Sequence, residues 1–133
     1  MEAVTVRVEV DINLTEDERK VEQAVTNIFE TMSVEVKPSC KGSVLYTKSE
    51  GLDTLVKFRD LLGLDRIRAA ARKVFFGALR GNAVRFCLNK QVAFAGHVSF
   101  CEETAESPLG PLKVTIECGE PQLLIDWLAP RST

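Results

Sequence analysis

Between positions 66 and 101 the chain carries Arg66, Arg68, Arg72, Lys73, Arg80, Arg85 and Lys90 and not one acidic residue. Guanidinium and ammonium groups gathered without neutralising carboxylates suit the phosphates of a polyanion. Such contacts carry little sequence information and weaken steeply with salt. The window is +7 and the remaining residues hold 10 Lys/Arg against 19 Asp/Glu, so the formal net charge of −2 conceals a sharp split. Asymmetry of this kind points to a charged partner more than to a fold. The overall pI near 5.5 pulls the other way, because nucleic-acid-binding domains are commonly basic throughout. Asn89-Lys90-Gln91 adds a second candidate contact. In a tight exposed loop, two amides and an ammonium could hydrogen-bond a base edge or a phosphate. The plainer alternative makes Asn89 a turn former and Lys90 and Gln91 its wet neighbours.

Other chemistries find less support. His97 is the sole histidine, and its ordinary pKa would suit a general base. Cys87 and Cys101 could share its sheet face, but no motif orients a base beside a nucleophile, so no catalytic residue is expected. Gly77, Gly81 and Gly96 match neither standard nucleotide-binding loop. Cys40, Cys87, Cys101 and Cys118 show no CxxC spacing, so the expectation is reduced thiols, no metal and no cofactor. Phe86, Phe94 and Phe100 fall on apolar faces and Tyr46 is the only tyrosine, which favours recognition of a polyanion's backbone or shape over base stacking of single strands.

The elements that must position these groups follow from periodicity. Residues 3–12 alternate, with Val4, Val6, Val8, Val10 and Ile12 on one side, as a half-buried strand requires. Thr15 and Glu18 fit a capping box, opening a helix of about four turns whose apolar stripe runs from Val21 to Met32. Short strands are expected at 33–37 and 44–47, with Pro38 ending the first or marking a sheet edge and a loop over 38–42. A helix over 51–62 would end at a left-handed Gly63. The next helix places Ile67, Ala71, Val74, Phe75 and Ala78 on one side and the five cations from Arg66 to Arg80 on the rest, and Gly81-Asn82 turns the chain. Strands at 83–88 and 92–101 would then form a hairpin through residues 89–91. After an exposed loop over 102–111, residues 112–118 alternate again, and a last short helix carries Leu124, Ile125, Trp127 and Leu128 before Pro130.

At 133 residues the chain is expected to be a single domain over 1–133. Half-apolar strands interleaved with amphipathic helices imply an α+β two-layer sandwich, a mainly antiparallel sheet with helices packed on one face. The other face would carry Thr5, Arg7, Glu9, Arg85, His97, Ser99, Lys113 and Thr115, a polar platform that, with Ala93, Ala95 and Cys101 exposed beside them, a dimer or a ligand could cover. No apolar run approaches the roughly 18 residues of a membrane-spanning helix and no signal-peptide core opens the chain, so the expected location is the cytoplasm.

Several stretches carry a resemblance over nearly the whole chain. They are Thr15-Glu16-Asp17 with Lys20-Val21, Ala24 and Asn27-Ile28-Phe29; Leu55-Val56-Lys57-Phe58; residues 67–72; Phe86-Cys87-Leu88-Asn89-Lys90-Gln91 with Gly96; Pro108-Leu109-Gly110; and Trp127-Leu128-Ala129-Pro130. In these the chain resembles uncharacterised protein family 0201, archaeal proteins described as predicted RNA-binding, exosome-associated subunits. The resemblance implies the fold class of the large-subunit ribosomal protein that holds 5S rRNA. It also implies RNA and subunits of an RNA-processing complex as partners. The leading expectation is a non-enzymatic protein that contacts structured RNA through Arg66, Arg68, Arg72, Lys73, Arg80, Arg85, Asn89, Lys90 and Gln91. The rival is a protein-interaction or homodimerisation module without nucleic-acid binding.

Overall fold

The computed structural model describes residues 4–30, 34–40, 42–101 and 111–130. In chain order these form β1 (Val4–Asn13), α1 (Glu18–Ile28), β2 (Val34–Ser39), β3 (Gly42–Glu50), α2 (Asp53–Leu64) and α3 (Arg68–Ala78). They continue with β4 (Leu79–Arg80), β5 (Ala83–Leu88), α4 (Lys90–Phe94), β6 (Phe100–Cys101), β7 (Leu112–Cys118) and α5 (Pro121–Leu128). Every strand pairing is antiparallel, in the order β2-β3-β1-β7-β5-β4, with β6 also on β5. The architecture is the expected α+β two-layer sandwich.

Alternation builds the inner face of the sheet. Val4, Val6, Val8, Val10 and Ile12 of β1, Val84, Phe86 and Leu88 of β5, and Leu112, Val114, Ile116 and Cys118 of β7 are all buried. Helices α1, α2, α3 and α5 cover them with Val25, Ile28, Leu55, Phe58, Phe75 and Leu124, each at most 1% exposed. Phe58 lies at the centre of this layer, its ring centroid 5.1 Å from Phe29, 5.6 Å from Phe86 and 6.1 Å from Phe75. Aromatic pairs at such separations add to plain area burial.

Several local expectations are corrected. Asp17, not Thr15, caps α1: its carboxylate accepts from the Arg19 amide at 2.9 Å. Thr15 sits inside a turn closed by the Glu16 amide on the Asn13 carbonyl at 2.9 Å, so it precedes the helix by too much to cap it. The expected loop over 38–42 is shortened, because Pro38 and Ser39 belong to β2 and Gly42 to β3, which run as a hairpin with Pro38 opposite Ser43. Gly42 turns it at φ 141°, where a side chain would overlap the Ile12 carbonyl oxygen. Gly63 lies within α2, not beyond it. The space a side chain would fill there holds the Arg68 guanidinium, and the left-handed residue is Arg66, at φ 56°.

The largest correction concerns residues 89–99. The apolar alternation from Val92 to Phe100 predicts a strand, yet only Phe100 and Cys101 pair with β5. Asn89 caps a short helix instead, its side-chain oxygen accepting from the Val92 amide at 3.0 Å. A local cap of this kind competes directly with the extended conformation. Ala93 becomes buried and Phe94 exposed, the reverse of the strand reading, and His97 and Ser99 fall outside any strand. Met32, Ser33 and the 102–110 part of the expected loop lie outside the described residues.

Candidate nucleic-acid interface

The nine residues expected to form one surface occupy three places. The first is α3, whose inner side buries Ala71 and Phe75. Arg68 and Lys73 are exposed on it, Arg66 is exposed in the turn before it and Arg80 in β4 after it. The α3 cap residue, Ile67, supplies no side-chain hydrogen bond. The first amides of a helix lack internal partners and carry the positive end of its dipole. Arg66 and Arg68 flank that end, and the Arg68 guanidinium lies against Gly63 of α2. At the other end, Arg80 donates from Nη1 to the carbonyls of Leu79 at 2.7 Å and Gly77 at 3.2 Å, which orients an exposed guanidinium.

Arg72 belongs to α3 but not to its free charge. Its guanidinium is 2.6 Å from Asp126 of α5, donates to the Ala129 carbonyl at 3.2 Å and lies 4.9 Å from the ring centre of Phe76. It fastens α5 to α3. The sequence gives no sign of that, since Asp126 is one of many acidic residues.

Arg85 is on the opposite side of the molecule. Register places it in an outward row with Thr115 of β7, Arg7 of β1 and Lys48 of β3; the next row runs Cys87, Lys113, Glu9, Tyr46 and Glu35. A groove of about 400 Å³ lies across these rows. Of the expected polar platform, Arg7, Glu9, Arg85, Lys113 and Thr115 line this groove while His97 and Ser99 do not, and the charges along it are mixed. Arg7 pairs with Glu117, and the Tyr46 hydroxyl, first by desolvation and then by Glu9, has its pKa raised.

Asn89, Lys90 and Gln91 occupy the third place, at the start of α4 against α1. Asn89 is spent on capping. Lys90 is only 6% exposed, with its ammonium 2.7 Å from the Asp11 carbonyl and 3.0 Å from Glu16 Oε1. Gln91 alone is exposed, on the rim of a depression of about 340 Å³ that it shares with Thr15, Lys20, Val21 and Phe94. Lys90 is thus a buried structural cation and not a hairpin-tip contact.

His97 is paired with Asp65: Nδ1 is 3.0 Å from Asp65 Oδ1, and Asp65 Oδ2 accepts from the Val98 amide at 3.0 Å. The Val98 amide, and behind it His97, hold the Asp65 carboxyl below its usual range, against the opposing effect of desolvation. Asp65 therefore anchors the segment after α4 beside the start of α3. Among the described residues no group of three or more His, Cys, Asp or Glu could hold a metal ion, and no helix is long and apolar enough to cross a membrane.

Comparison with known proteins places this geometry in a family. A family model described as RNA binding matches residues 5–118. A UPF0201 protein of Sulfurisphaera tokodaii is 45% identical over 125 residues, covering 94% of this chain and 86% of its own length. One of Pyrobaculum islandicum is 41% identical over 124 residues, covering 92% and 87%. The crystal structure of a UPF0201 protein from Methanococcus jannaschii superposes with a TM-score of 0.82 at 29% identity, covering 99% of this chain and 96% of that one. With most of its length matched by the model and its nearly full length shared with these archaeal proteins, the chain belongs to the RNA-binding family that its residues 5–118 match, among the UPF0201 proteins.

Proposed function

We propose that the protein binds structured RNA without catalysing a reaction on it, and that α3 is the contact. The observation that carries this reading is a run of exposed cations in and beside one helix. Arg68 and Lys73 are exposed in α3, Arg66 in the turn before it and Arg80 in β4 after it, and the 36 residues from Arg66 to Cys101 contain no acid. The helix start, where the cap residue Ile67 supplies no side-chain hydrogen bond, lies beside Arg66 and Arg68, and a helix N-terminus suits a phosphate. The family's description as RNA binding supports the choice of polyanion. Phe76, the exposed aromatic of α3, has a face engaged by the Arg72 guanidinium, so phosphate and shape would dominate recognition. Work within a larger RNA-processing assembly is compatible with a surface confined to one helix and is part of the same proposal.

The test is binding of labelled structured RNAs across a salt series. Four phosphate contacts on a duplex predict that log K falls against log salt with a slope of about −3 to −4. Absence of binding at low salt, or affinity indifferent to salt, overturns the reading.

A further inference from the structure

Cys87 of β5 and Cys101 of β6 stand directly opposite one another in the antiparallel register. Opposed residues of such a pair project to one face, with Cα atoms about 4.5–5.5 Å apart. That lies inside the roughly 4.4–6.8 Å that a disulfide spans without backbone movement. Both side chains line one pocket of about 230 Å³, together with Arg85, Lys113 and Thr115, and both are half-buried. Cys118, by contrast, is buried, and Cys40 is exposed at the β2–β3 turn.

The two thiols are not equivalent. Lys113 is the register partner of Cys87 on its other side, and Arg85 lies two residues back on the same outward face. Cations beside a thiol favour the reactive thiolate. Burial pushes the Cys101 thiol up, so it deprotonates less readily.

We infer that Cys87 and Cys101 are a dithiol modification site that closes to an intramolecular disulfide by exchange with a small-molecule disulfide. The Cys87 thiolate attacks one sulfur of the small disulfide, forming a mixed disulfide and expelling one small thiolate. The Cys101 sulfur, giving up its proton to solvent, then attacks Cys87 Sγ, forming the protein disulfide and expelling the second thiolate. Two electrons pass from the protein sulfurs to the small disulfide, which leaves as two thiols. The product staples the two-residue strand β6 to β5, next to Arg85 and Lys113 on the open face of the sheet. This inference is independent of the RNA-binding reading.

The experiment treats the folded full chain with glutathione disulfide, quenches with an alkylating reagent and maps the peptides by mass. The expected product has lost two hydrogens, carries a Cys87–Cys101 cross-link and resists denaturant better than the reduced form. Cys101→Ser should trap glutathione on Cys87, and Cys87→Ser should give no cross-link. Cys40→Ser should leave the cross-link intact. Alkylation of both Cys87 and Cys101 after treatment overturns the inference, as does glutathione retained on Cys87 in the unsubstituted chain. Adduct formation on Cys101 in preference to Cys87 overturns the order of attack.

Discussion

The Lys90 ammonium lies 3.0 Å from Glu16 Oε1 and 3.2 Å from Oε2, joining the turn before α1 to the start of α4 across 74 positions of sequence. Both side chains are nearly out of solvent, at 6% and 10%. Glu16 is further held by the Asn13 amide and side chain, each at 3.0 Å, and Lys90 by the Asp11 carbonyl. The pair therefore has its remaining hydrogen-bonding capacity engaged by nearby groups, the condition under which a buried ion pair is tolerated.

Breaking it from one side should be costly. Lys90→Met keeps the stem and leaves Glu16 buried with its charge unmatched, so a loss of about 3 kcal/mol is expected. Lys90→Met combined with Glu16→Leu should recover much of that loss. Urea unfolding with an unchanged m-value measures both. A Lys90→Met variant as stable as the parent would show that the ammonium is dispensable.

On α3 the expected outcome is a change in RNA affinity with little change in stability. Replacing Arg66, Arg68, Lys73 and Arg80 together by Ala should lower the steepness of the salt dependence by about 3 to 4, the contribution of four phosphate contacts to a duplex. Arg72→Ala should instead lower stability, because its guanidinium holds Asp126 and the Ala129 carbonyl. Equal effects of both changes on RNA affinity would mean that the ridge is not the contact.

Asp65 makes stability depend on acid pH. Its folded-state pKa is lowered by the Val98 amide, so the folded protein releases this proton at lower pH than the unfolded chain does. The resulting stabilisation is present above the unfolded value, about 3.9, and is lost as pH falls through the lower folded value. Asp65→Asn should therefore flatten the decline of stability below about pH 4. Denaturation midpoints collected from neutral to strongly acid pH test this; identical acid limbs for variant and parent would refute it.

Phe58 should be among the costliest positions in the core. It is fully buried, with Phe29, Phe75 and Phe86 rings around it. Phe58→Ala is expected to cost about 3–5 kcal/mol, from lost transfer free energy and an unfilled cavity. A loss below about 1 kcal/mol would mean that the four-ring cluster collapses easily onto the gap.

What the sequence made legible is what short-range pattern controls. The alternation of β1 and β7 and the apolar stripe of α3 are local signals, and each became the element expected. The β5 strand ran over its predicted residues too. Failures came where two local signals competed or where a distant residue decided. Thr15 and Asp17 both suit a helix cap, and the turn at Asn13–Glu16 chose between them. Residues 92–100 alternate like a strand, but the Asn89 cap and the Lys90–Glu16 pair bend the chain into α4. Nothing near Lys90 in sequence announces Glu16, so a cation that reads as a wet loop residue turns out to be internal. The same limit hid Asp126, the partner that removes Arg72 from the exposed ridge.

The margins of the sheet carry a consequence for behaviour at high concentration. One margin is β2, where Pro38 contributes no backbone donor and Lys37 is exposed. At the other, β4 and β6 share the outer side of β5 as two pieces of two residues each. Among the described residues, an incoming extended chain would find an interrupted ladder at one margin and two short pieces at the other. Proline, lysine and short strands are the means by which sheets refuse further growth. The described margins of the sheet thus discourage fibrillar polymerisation.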